Sequence, residues 1–265
     1  MKIYEKYDGF IFDLDGTIYV EDMLIDGAKK TINFLIEKRK PIVFVSNKTT
    51  GTADEYYAFL KNEGVNISRE MIITATETVK NYLLENFANE PLFALGEKAF
   101  VNELTESGLR YSENPKEIKI VIVTLDRTLT FEKLEIAKEA IENGARFFAA
   151  NIDNTCPVKK GEILDAGSTI AALEKSTHKK LEKNFGKPSK YMIETIKKRI
   201  NVPLEQCLLA GDRLETDIKM ANDFGIDSAL VQTGVQKFVN GISANPTYRI
   251  ENVRMIITKD IPSFS

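Results

Sequence analysis

Asp13-Leu14-Asp15-Gly16-Thr17 follows directly on the apolar run Phe10-Ile11-Phe12. Ligands of open parallel sheets bind just beyond the carboxyl ends of the strands, so both carboxylates stand where a site belongs. With one residue between them, they share a side in extended geometry. Two close carboxylates repel unless a cation sits between them, and Mg²⁺ takes oxygen ligands of this kind. Gly16 allows a sharp turn behind them. Taken alone, the same five residues also read as an acidic turn.

Three more clusters stand at comparable places. Ser46-Asn47-Lys48-Thr49-Thr50 follows the apolar stretch Pro41 to Val45; hydroxyl, amide and backbone N–H groups at such a turn suit a phosphate. Alone, it reads as readily as a helix N-cap at Thr49, Thr50 or Thr52. Gly186-Lys187-Pro188 precedes a helical pattern starting at Tyr191; by itself Lys187 is one of 36 Lys and Arg residues, and a solvated lysine is the simpler reading. Gly211-Asp212-Arg213-Leu214-Glu215-Thr216-Asp217 follows the run Cys207 to Ala210, with Asp217 a helical turn beyond Asp212. Its plain alternative is an N-cap with acidic first-turn residues favoured by the helix dipole.

These clusters need elements to hold them. Strand patterns at 10–12, 41–45 and 72–74 alternate with helical patterns at 27–38, 53–60 and 77–84. The middle repeats the rhythm: strands at 91–95, 118–124 and 146–150, helices at 98–104, 131–141 and 167–173, and a loop over 151–165. The last third adds a helix over 191–200, a strand over 207–210, a helix over 215–224 and a strand over 228–232, while the stretch from Asn240 onward gives no clear pattern. Such alternation predicts an α/β protein with a parallel sheet and helices packed on it. All four clusters lie outside the middle block. The predicted division is therefore a discontinuous core of 1–78 and 186–265, with an inserted α/β cap of 79–185.

The composition narrows the chemistry. With 36 basic and 39 acidic residues, the formal net charge is −3, which disfavours sequence-independent nucleic-acid binding. No apolar run approaches the roughly 20 residues that span a bilayer, and the charged Glu5, Lys6 and Asp8 are not followed by the apolar stretch of a signal peptide. Cys156 and Cys207 form no CxxC pair, and His178 is the single histidine, so zinc sites, disulfide frameworks and Ser-His-Asp triads have little material. A cytoplasmic protein whose chemistry runs on carboxylates, hydroxyls and lysines is expected, with no nucleic-acid or membrane partner. The sequence leaves room for a homo-oligomer.

Taken together, the clusters match in chain order the four motifs of the haloacid dehalogenase-like superfamily, and the whole chain resembles its 4-nitrophenylphosphatase-like, nucleotide- and sugar-phosphatase branch. The segments Asn151-Ile152-Asp153-Asn154-Thr155-Cys156-Pro157 and Asp165-Ala166-Gly167-Ser168 add to that likeness. The resemblance implies a Rossmann-like parallel-sheet core with an inserted α/β cap domain, and a Mg²⁺-dependent phosphatase acting on small phosphate monoesters, such as a sugar phosphate, a nucleotide or a related metabolite, with 4-nitrophenyl phosphate as an artificial substrate. By it, Asp13 is the nucleophile that becomes an aspartyl-phosphate, and Asp15 is the general acid and then the base. Ser46 and Lys187 hold the phosphoryl oxygens, with Asn47 on the phosphate or substrate side. The Asp13 carboxylate, the Asp15 carbonyl and Asp212 ligate Mg²⁺, and Asp217 orients them. Asp153 and Cys156, in the inserted block, are expected to read the leaving group.

Two departures stand out. Lys48 replaces a frequent second Asn, and Cys156 aligns with a cap histidine of the vitamin-B6-phosphate phosphatases. Asp15 disfavours dehalogenase and P-type ATPase chemistry, which lack an acid there. The alternative of another class is a non-catalytic phosphoryl-ligand sensor or scaffold on the same fold; loss of a motif acid or of Lys187 would favour it, and none is lost.

Overall fold

An apolar run without alternation suits a strand covered on both faces. In the computed structural model Gly9–Asp13 is such a strand, buried at every position. The structure describes residues 1–158, 161–234 and 244–261. Their contacts group into two compact units, one of Met1–Ser46, Ala53–Ile73 and Ile193–Ser265, the other of Asn47–Thr52 and Thr74–Met192. The second unit is wider than the strand-helix rhythm of the sequence, for it takes in the segment after Ser46 and the turn at Lys187.

The first unit is built on a six-stranded sheet. Its order is Tyr248–Ile250, Asp227–Val231, Cys207–Gly211, Gly9–Asp13, Ile42–Ser46 and Ile72–Thr74. Gly9–Asp13 pairs in parallel with Cys207–Gly211 on one side and Ile42–Ser46 on the other. The chain therefore builds outward from its first strand in one direction and returns later to build in the other. That reversal opens a crevice beyond the carboxyl ends of the central strands. The edge strand Tyr248–Ile250 comes from the stretch without a clear sequence pattern, and residues 240–243 and 262–265 of it lie outside the described residues.

Side chains alternate across this sheet. Phe10, Phe12 and Phe44 fall on one face, with ring centroids 6.2 and 5.9 Å apart along the series. They join a core that includes Ile32, Leu35 and Leu60. The helix Ala28–Glu37 buries Ala28, Thr31, Ile32 and Leu35, the spacing of one helical face.

The second unit carries its own parallel sheet, in the order Lys183–Asn184, Arg146–Ala149, Ile120–Val123 and Leu92–Leu95. Phe93, Leu95, Val121, Val123 and Phe147 pack with Ala137, Ile141 and Leu173. The expected loop over 151–165 is in part a hairpin, for Thr155–Val158 pairs antiparallel with Gly161–Leu164. Among the described residues, no helix is long and apolar enough to cross a membrane.

Candidate active site

Asp13 is the last residue of its strand, and Asp212 follows the last residue of the neighbouring one. The register sets Phe12 beside Ala210, so both carboxylates emerge at the same end of the sheet. The chain after Asp212 forms a π-helix, Leu214–Ile218, and only then the α-helix Lys219–Asp223. A single α-helix over 215–224 was expected. The wider turn is a feature often found at functional sites, and it carries Asp217 into the interior. Asp13, Asp212 and Asp217 are all buried, with carboxylate oxygens within 4.8 Å of one another. Asp217, expected behind the metal ligands, stands in this trio, and its Oδ2 accepts the Arg213 backbone N–H at 3.1 Å.

The turn after Asp13 is closed by main-chain bonds from the N–H groups of Thr17, Ile18 and Tyr19 to the Leu14 carbonyl. This wrap returns two side chains to the acids four residues earlier. The Thr17 hydroxyl donates to Asp13 Oδ2 at 2.9 Å, and the Tyr19 hydroxyl donates to Asp15 Oδ2 at 3.0 Å. Burial, and then the adjacent Asp15 carboxylate, push the Tyr19 phenol far above its ordinary pKa, so it stays a donor. In the sequence Thr17 stands only as the end of the first cluster, without a role, and Tyr19 is not named; the i, i+4 spacing to Asp13 and Asp15 is the available signal. Ser46 is buried at the end of the strand beside Gly9–Asp13.

The remaining candidates lie in the second unit. Asn47 grips the Lys187 backbone from both sides: the Lys187 N–H donates to Asn47 Oδ1 at 2.6 Å, and Asn47 Nδ2 donates to the Lys187 carbonyl at 3.0 Å. The same Nδ2 also donates to Asp153 Oδ2 at 3.0 Å. Lys187 is buried. Cys156 is half-buried on the hairpin, opposite Ile163.

Known proteins share both the sequence pattern and the fold of this chain. The sequence pattern of the haloacid dehalogenase-like hydrolase family matches residues 10–110, and a second pattern, of HAD-hydrolase-like proteins, matches residues 184–256. The sugar-phosphatase AraL of Bacillus subtilis is 31% identical over 260 residues, which cover 96% of each chain. The crystal structure of a 4-nitrophenylphosphatase from Thermotoga maritima superposes with a TM-score of 0.89 at 31% identity, covering 97% of this chain and 99% of that one. A glycerol phosphate phosphatase from Mycobacterium tuberculosis, solved in complex with magnesium, has a TM-score of 0.84 at 29% identity, covering 97% of this chain and 78% of that one.

Proposed function

The chain belongs to the haloacid dehalogenase-like hydrolases and is a phosphoric monoester hydrolase, and from that premise we propose a Mg²⁺-dependent phosphatase working through an aspartyl-phosphate on Asp13. The observation that carries this reading is the buried trio Asp13, Asp212 and Asp217 at the strand ends. Three carboxylates so close repel one another strongly without a cation, and an all-oxygen donor set suits Mg²⁺ rather than a softer metal. The Asp13 and Asp212 carboxylates and the Asp15 carbonyl would hold the ion, with Asp217 beside them. When bound, it offsets their charge and that of the transferring phosphoryl group.

An Asp13 carboxylate oxygen attacks phosphorus in line with the ester oxygen, and the bond from phosphorus to that oxygen breaks. The protonated Asp15 carboxyl gives its proton to the leaving oxygen. Asp15, now a carboxylate, takes a proton from water as that water attacks the aspartyl-phosphate. The bond from phosphorus to Asp13 then breaks, and orthophosphate leaves. Thr17 fixes the rotamer of the nucleophile and Tyr19 that of the acid. Ser46 and Lys187 are assigned to the phosphoryl oxygens. Residues 1–78 and 186–265 are assigned to catalysis and 79–185 to a cap. There, Cys156 is assigned to the leaving group of a sugar phosphate, nucleotide or similar metabolite.

The test is turnover of 4-nitrophenyl phosphate and of an alkyl phosphate. Asp13→Asn should fold and lose activity with both. Asp15→Asn should lose more on the alkyl ester, because 4-nitrophenolate needs little protonation. A chelator should abolish activity, and Mg²⁺ should restore it better than Ca²⁺. Near-native turnover by Asp13→Asn, or full activity in excess chelator, would refute the assignment.

A further inference from the structure

Four buried polar residues of the second unit, Thr49, Thr124, Asn151 and Asp165, have no part in the chemistry above. They form one connected set. Thr49 Oγ1 lies 2.5 Å from Thr124 Oγ1, and the Thr124 hydroxyl donates to Asn151 Oδ1 at 3.0 Å. Asn151 Nδ2 donates to Asp165 Oδ1 and to Asp153 Oδ2, each at 3.0 Å. Asp153 Oδ2 also receives Asn47 Nδ2, and Asn47 holds the Lys187 backbone. The chain of bonds thus runs from Thr49 to the Lys187 turn, with Asp153 joining its two halves.

We infer that Asp153 is a positioning residue, fixing the Lys187 turn through Asn47 rather than reading the leaving group. The inference rests on the assignment of Lys187 to the phosphoryl oxygens. An amide group can sit in either of two orientations, exchanging its oxygen and nitrogen. A carboxylate oxygen accepts and does not donate, and Asp153 Oδ2 takes the N–H₂ edge of both Asn47 and Asn151. With Nδ2 of Asn47 committed to Asp153 and to the Lys187 carbonyl, Oδ1 is left facing the Lys187 N–H. Both ends of the Lys187 peptide backbone are then held in one register.

The fit around this contact is close. A Cβ on Gly186 would stand 2.5 Å from Asn47 Oδ1 and 2.6 Å from the Ala150 carbonyl, so only glycine lets the turn approach. Asp153 is itself anchored, since its carbonyl accepts the Gly167 N–H at 2.8 Å at the start of the helix Ala166–Thr177. A carboxylate engaged in this way acts on every substrate alike, because it sets the phosphate grip and not the fit of the alcohol.

The test compares kcat/KM for 4-nitrophenyl phosphate, a sugar phosphate and glycerol phosphate, together with the inhibition constant of orthophosphate. Asp153→Ala should lower all three values by one common factor, about tenfold or more for loss of a charge-assisted hydrogen bond, and weaken orthophosphate by a similar factor. Adding it to Asn47→Ala should cost little further, since one acts through the other. Asp153→Asn keeps the shape and should move orthophosphate in the same direction by less, which covers the case in which the alanine variant does not fold. A change in the ranking of the esters with orthophosphate inhibition unaltered would overturn the inference and return Asp153 to specificity. Fully additive losses would also overturn it. Lys187→Met separates the premises: if it leaves orthophosphate inhibition unchanged, the phosphate assignment itself fails.

Discussion

At the scale of single residues, the acidic centre depends on a position without a side chain. Gly16 has φ +86°, and a Cβ there would stand 2.5 Å from Asp212 Oδ2 and 3.1 Å from the Gly234 Cα. The Gly16 carbonyl also accepts the Thr233 hydroxyl at 2.6 Å, which ties the turn to the segment after the strand Asp227–Val231. Alanine would meet two penalties, a left-handed backbone worth about 1–2 kcal/mol and displacement of a carboxylate from the trio. Gly16→Ala is therefore expected to lower the melting temperature and to raise the Mg²⁺ concentration needed for half-maximal activity. A thermal melt and a Mg²⁺ titration check the two effects separately. If the variant melts lower with an unchanged Mg²⁺ requirement, the close approach to Asp212 has no part in holding the metal. Asp13 and Asp212 were legible because each stands at the end of an apolar run that must be a strand, and Asp217 only as a residue one turn beyond Asp212. The set from Thr49 to Lys187 was not, since folding alone brings its members together from positions 47, 49, 124, 151, 153, 165 and 187.

At the scale of elements, legibility followed the length of the apolar pattern. The central strands were readable because burial on both faces makes them continuous apolar runs. The hairpin of Thr155–Val158 and Gly161–Leu164 was not, because each strand has four residues and the first contains a proline, which argues against a strand. The π-helix at Leu214–Ile218 differs from an α-helix by closing its hydrogen bonds one residue further along the chain, too little for a five-residue pattern to register. Just before the Lys187 turn, Phe185 is fully buried, with ring centroids 4.9 Å from Tyr82, 5.7 Å from Phe148 and 4.8 Å from Tyr191. Phe185→Ala is expected to cost about 3–5 kcal/mol, seen as an earlier midpoint in urea unfolding. Phe131, at the start of the helix Phe131–Glu142, is 76% exposed, so Phe131→Ser should change stability by no more than about 0.5 kcal/mol. Equal costs at the two positions would mean that the aromatic cluster contributes no more than an exposed ring.

At the scale of the whole molecule, the first unit is assembled from the two ends of the chain, and its closure is partly electrostatic. The N-terminal segment meets the C-terminal one where the Ile261 N–H donates to the Met1 carbonyl at 2.9 Å and Lys2 Nζ lies 2.8 Å from Asp260. The stronger tie is Asp227, whose Oδ2 accepts from the Tyr7 hydroxyl at 2.7 Å and Lys6 Nζ at 3.0 Å, while Oδ1 accepts the Thr247 hydroxyl at 3.1 Å. Burial raises the pKa of this carboxyl, but the hydrogen bonds from Tyr7, Lys6 and Thr247 together outweigh it, and the net shift is downward. Burial, with Asp227 beside it, pushes the Tyr7 phenol far upward, so that it remains a donor. A carboxyl with a folded pKa below its unfolded one binds protons more tightly when unfolded, so stability rises with pH across that interval. The contribution is complete above the unfolded value of about 3.9 and is lost as the pH falls through the folded one. Asp227→Asn removes the titrating group and leaves a neutral side chain of the same shape. The melting temperature of the variant should lie below that of the parent near neutral pH, and the gap should narrow as the pH is lowered past about 4. A gap that stays constant through that range would show that the cluster joins the two chain ends by packing alone, with no share carried by the charge on Asp227.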